Sequence, residues 1–127
     1  MSTSYRAASL ADLADWLAGC SEQERWRLVA EFLEEYRHEP PGIRLALLES
    51  EPAGTGDERW DVLLGALAEH LAALADQASP QWAGRRKLRS FWFPFNTRAA
   101  RADALVNAPA AFRRRGVFVA PQELEVA

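Results

Sequence analysis

A chain of 127 residues with 49% apolar and 10% aromatic side chains is long enough to bury a core and too apolar for a disordered tail. Its one cysteine excludes an internal disulfide, and no run approaches the roughly 18 uninterrupted apolar residues of a membrane span, so a soluble cytoplasmic protein is expected. The net charge of −3 conceals a division: residues 1–79 carry 6 basic and 15 acidic side chains, net −9, while residues 80–127 carry 9 and 3, net +6. Such a division suggests a partner surface of one sign, or packing of the two halves on each other, against the plainer reading of two ordinary solvated faces.

Alanine is abundant and Ile43 is the single isoleucine, a composition that favours helix over sheet. The start, MSTSYRAASLADLADWLAG, lacks the basic residues and long apolar run of a signal peptide. Ser9 with Asp12 resembles a capping box, Leu10, Leu13 and Leu17 recur at helical spacing, and Gly19 closes a short first helix. Ser21 with Glu24 forms a second box. Trp26, Val29, Leu33 and Tyr36 mark one side of the helix it opens, Phe32 widens the stripe, and Pro40-Pro41 stops it. A short third helix is expected over 42–50, followed by the loop EPAGTGD. Thr55 with Glu58 then opens the clearest helix of the chain. Its expected buried face is Trp60, Leu63, Leu64, Leu67, Leu71 and Leu74, and its end falls near 76–79.

Ser79-Pro80 pairs an N-cap with an N1 proline and predicts a helix carrying Trp82, Leu88 and Phe91 until Pro94 breaks it. Residues 97–106 favour helix again, Pro109 restarts one through AAFRRR, and Gly116 ends it. VFV at 117–119 alternates too briefly for more than a bridge or one edge strand. The expectation is one all-α domain over 1–127, a compact bundle of five to seven helices, with at most one short C-terminal β bridge or edge strand.

Little in the chain suggests catalysis. Its only Cys and His residues are Cys20, His38 and His70, too few for a structural zinc site of four such ligands. Neither GxGxxG nor GxxxxGK[ST] occurs, so no nucleotide cradle is expected. Asp57, Glu58 and Asp61 fit the positive end of a helix, and His70 fits a partly exposed place beside the leucine face. The expectation is a non-enzymatic protein without cofactor or metal.

The distinctive stretch is RRKLRSFWFPF at 85–95, four cations against four rings. Interleaved charge and aromatics serve single-stranded nucleic-acid binders, but those need exposed rings on a sheet or groove, and no strand pattern is present. The rings therefore read first as core, then as partner contact. A second cluster, Arg113, Arg114 and Arg115, recurs further on, and the two can share one basic face with Arg98 and Arg101. A DNA-reading helix pair over 21–37 and 42–50 is disfavoured, because its second helix carries one cation, Arg44.

TGDERWDVLLGALAEHLA (55–72), SPQWAGRRKLRSFWFPF (79–95) and ALVNAPAAFRRRGVFVAPQELEVA (104–127) resemble a family of small bacterial proteins encoded beside a nucleotidyltransferase-like protein, in an arrangement similar to toxin–antitoxin pairs. The residues carrying the resemblance are Trp60, Trp82, Phe91, Trp92, Pro94, Pro109, Phe112, Arg113, Arg114, Arg115 and Gly116. It implies an antitoxin-like protein that binds and restrains the neighbouring enzyme, and it carries no catalytic residue. Candidate partner-binding residues are Arg85, Arg86, Arg89, Trp92, Phe112, Arg113, Arg114 and Arg115. The alternative is a nucleic-acid-binding regulator using the basic region 85–115.

Overall fold

The computed structural model describes residues 7–124. They form an all-α fold of six helices: α1 (Leu10–Ala18), α2 (Glu22–Arg37), α3 (Pro41–Glu49), α4 (Glu58–Leu74), α5 (Arg98–Asn107) and α6 (Ala110–Arg113). Two 3₁₀ turns, Gln81–Arg85 and Pro121–Leu124, complete it.

The helix starts follow local chemistry, with two departures from expectation. At α1 the box closes: the Asp12 N–H donates to Ser9 Oγ (3.1 Å) and the Ser9 N–H to the Asp12 carboxylate (3.0 Å). At α2 it does not. The Ser21 hydroxyl donates to the Glu24 carboxylate (3.3 Å) and leaves the exposed helix end without a side-chain cap. At α4 the N-cap is Asp57, not Thr55. Thr55 is buried, and both its N–H (2.8 Å) and its hydroxyl (2.7 Å) donate to Asp61, so an acid one turn into α4 fastens the preceding loop.

α4 is the axis of the fold. It packs against α1, α3, α6 and the first 3₁₀ turn, and Trp60, Leu63, Leu64, Leu67 and Leu71 are buried as their spacing predicts. Leu74 departs from the stripe: it is 73% exposed, because α4 ends there. The Asp76 and Gln77 N–H groups turn back onto the carbonyls of Ala73 and Ala72 (3.0 and 2.9 Å), with Asp76 at φ 57° in the left-handed closing geometry usually given to glycine.

Trp60 is wholly buried and gathers three segments. Trp26 of α2 lies 5.2 Å from it and Trp92 5.4 Å edge-on, while its Nε1 donates to Glu22 (3.1 Å). A smaller apolar cluster of Ala104, Ala108 and Phe118, with Phe93 against it, seats α5.

The helix expected after Pro80 is replaced by the first 3₁₀ turn and an extended segment. Tertiary bonds take the place of helical ones. Trp82 Nε1 donates to the Leu48 carbonyl (3.1 Å), and the N–H groups of Leu88 and Trp92 donate to the carbonyls of Arg115 (2.9 Å) and Gly116 (2.8 Å). Val117 meets Trp92 in one parallel bridge, the short C-terminal pairing that VFV allowed. Pro121 and Gln122 open a last 3₁₀ turn rather than a strand. No helix among the described residues is long and apolar enough to cross a membrane.

Candidate functional site

The two basic segments lie side by side. The bridge at Trp92 and Val117, the Leu88–Arg115 bond and a Phe118 N–H donated to the Trp92 carbonyl (2.9 Å) join residues 88–92 to 115–118. Gly116 makes the approach possible. Its φ is +83°, and a Cβ there would stand 3.4 Å from Leu88 Cβ and 3.6 Å from the Ser90 carbonyl oxygen, in a conformation that L side chains rarely adopt.

The guanidinium groups, however, point to different tasks. Arg115 turns inward. Its side chain is 7% exposed, bonds Glu69 of α4, and donates to the carbonyls of Ala111 and Ala83 (2.9 Å each). Burial lowers its pKa, yet an arginine stays charged at any physiological pH, so Glu69 is the counter-ion that makes this burial tolerable. Arg114 pairs with the same Glu69 from the solvent side. Arg113 donates to the carbonyls of Leu105 and Val106 (3.1 Å each) and lies 5.9 Å from the centre of the Phe118 ring. It therefore closes the C-terminal end of α5, where carbonyls lack helical partners.

Arg86 is also committed to the fold. It donates to the carbonyls of Asp61 and Pro52 (2.9 Å each) and lies over Trp82 at 4.9 Å. Its stem crosses α4 at Gly65, where a Cβ would come within 3.2 Å of Arg86 Cβ. Arg85 pairs with Glu51 at 2.8 Å and remains mostly exposed. Arg89 is exposed and has no ion pair among the described residues. Trp92 and Phe112 are buried, the latter completely and edge-on to His70 at 5.5 Å. Of the eight candidate residues, Arg115, Trp92 and Phe112 are buried and Arg86 half-buried, whereas Arg85, Arg89, Arg113 and Arg114 reach solvent.

The rings at 91–95 divide in the same way. Trp92 is core and Phe95 lies half-buried on Trp26 at 4.8 Å. Phe93 stacks on Phe118 at 5.1 Å, and Arg101 covers its ring at 4.3 Å. Phe91 rests edge-on against Phe118 at 5.0 Å but remains 72% exposed.

The segments packed on Phe118 carry exposed apolar side chains that periodicity did not single out. Phe91, Leu105 (51% exposed) and Val106 (74%) are three of the six large exposed apolar side chains among the described residues. Arg113 joins the segments that carry them, because it caps α5 at the Leu105 and Val106 carbonyls while lying over the ring that supports Phe91. Exposed apolar side chains on neighbouring segments, with an arginine joining those segments, are the kind of material an interface uses. The only sequence signal was ALV at 104–106, whose last two residues have no buried stripe to join.

No group of three or more His, Cys, Asp and Glu side chains comes together as metal ligands among the described residues. No protein-family model, no curated protein and no solved structure matches the chain.

Proposed function

We propose that this protein is an antitoxin-like interaction module that binds and restrains a nucleotidyltransferase-like enzyme encoded beside it. Phe91, Leu105 and Val106, with Arg113 and Arg89, contribute the contact. The observation that carries this reading is the exposure of those three apolar side chains on two segments that Arg113 joins. An aromatic ring fixed on a buried neighbour binds a partner pocket at little entropic cost, and the exposed Arg89, two residues before it, can hold a carboxylate by two bonds. The identity of the partner rests on the resemblance of 55–72, 79–95 and 104–127.

The disposition of the cations favours a protein partner over a nucleic acid. Arg86, Arg113 and Arg115 spend their donors on backbone carbonyls, and Arg85 and Arg114 on glutamates. Lys87, Arg89, Arg98 and Arg101, the last bonded to the neutral Asn96, are left as cations without an ion pair among the described residues. Four dispersed charges make a shallow polyanion site, whose affinity would fall with salt at about 0.9 log units per phosphate neutralised.

The test is co-purification of the tagged protein with the product of the adjacent gene, for the wild type and for Phe91→Ser with Val106→Ser. Both positions are largely exposed, so the double variant should keep its helical content and lose the partner. Retention of the partner by that variant, or salt-sensitive oligonucleotide binding with no protein captured, defeats the proposal.

A further inference from the structure

A cavity of about 430 Å³ opens between α2, α3, the end of α4 and the last 3₁₀ turn, within the roughly 300–1,000 Å³ of small-molecule sites. None of its walls belongs to the Phe91 surface. Leu33, Leu67 and Leu71 supply the apolar lining, Tyr36, Arg37, Arg44 and His70 the polar groups, and no carboxylate among the described residues lines it. Arg37 already pairs with Glu34 at 3.8 Å. Arg44 is different: its Nε is buried without a hydrogen-bond partner, and it has no ion pair among the described residues. A half-buried guanidinium without a counter-ion is unfavourable, and a carboxylate can supply two acceptors in the matching plane.

We propose that this cavity binds a small amphipathic carboxylate, its apolar body against Leu33, Leu67 and Leu71 and its head group on Arg44. The neighbouring polar groups suit that assignment. Burial raises the Tyr36 pKa, with the Arg44 charge opposing it, so the hydroxyl stays protonated and able to donate. Burial lowers the His70 pKa, so the imidazole is neutral at pH 7 and does not compete as a cation. A single uncommitted guanidinium above an apolar wall is too little charge for a nucleotide or polyphosphate, and it selects one anionic head with a hydrocarbon or aryl body.

The experiment is calorimetric titration of the full chain with decanoate, decanol and decylammonium, below their aggregation limits. Decanoate should bind saturably and about tenfold or more tighter than decanol, the scale of one charge-assisted pair. Arg44→Gln should remove that advantage while leaving decanol binding in place, and Arg44→Lys should restore part of it. Equal binding of decanoate and decanol by the wild type overturns the proposal without recourse to any variant. So does the absence of saturable decanoate binding, or an advantage that survives Arg44→Gln.

Discussion

Arg115 separates two meanings of a basic cluster. In the sequence it is one of three adjacent arginines, indistinguishable from Arg113 and Arg114; in the fold it is a buried tie between α6, α4 and the first 3₁₀ turn. Arg115→Ala strips Glu69 of its inner partner and leaves two buried carbonyls without that donor, so a loss of about 3–5 kcal/mol in urea unfolding is expected. Arg114→Ala, at a 60% exposed position, should change stability by less than about 1 kcal/mol. Similar losses for the two variants would contradict the different roles assigned to them. The adjacent glycine gives a second measurement. Gly116→Ala must adopt φ +83° against Leu88, and should cost about 1–2 kcal/mol. Neither role was legible beforehand, because which arginine turns inward depends on a glutamate 46 positions away.

At the scale of elements, α4 was the most readable part of the chain and the stretch after Pro80 the least. The stripe from Trp60 to Leu71 follows from a 3.6-residue period on a helix covered on several sides. Leu67→Ala, at a wholly buried position, should cost about 2–5 kcal/mol in the same assay. The segment after Pro80 misled because its proline and tryptophan fit a helix equally well, while the bonds that extend it come from residues 115 and 116. α4 also carries a pH dependence. His70 is half-buried and its pKa is lowered by burial, so the unfolded chain takes up a proton at a pH where the folded chain resists it. Stability should therefore be complete above the ordinary histidine pKa of about 6.5 and decline as pH falls from there toward the lower folded value. Urea midpoints at pH 7.5 and 5.5 should differ in that direction for the wild type, and the difference should shrink in His70→Asn. An unchanged difference in His70→Asn would assign the titration elsewhere.

Across the whole molecule, the opposed charges of the two halves are partly spent on each other. Arg85 and Arg86 meet Glu51, and Arg114 and Arg115 meet Glu69, each pair joining the basic C-terminal region to the acidic N-terminal one. The sequence could display the imbalance but not whether an outside partner or the chain itself would answer it. Apolar packing runs the same way, since Phe112, Val117 and Val119 are buried in the principal core. A chain ending at Asn107 lacks all of these and should show no cooperative thermal transition by circular dichroism; a sharp transition near that of the full chain would mean that 108–124 are dispensable. The dependence of α4 on α6 bears on biosynthesis. While residues 112–119 are still within the ribosome, the leucine face of α4 has no cover from that side, so the core cannot close as the earlier helices emerge. A polypeptide released early by a premature stop, or trimmed back to α5 by a protease, should then be not a weaker binder but an unfolded chain open to degradation, and the cellular level of the protein should track the integrity of residues 108–124.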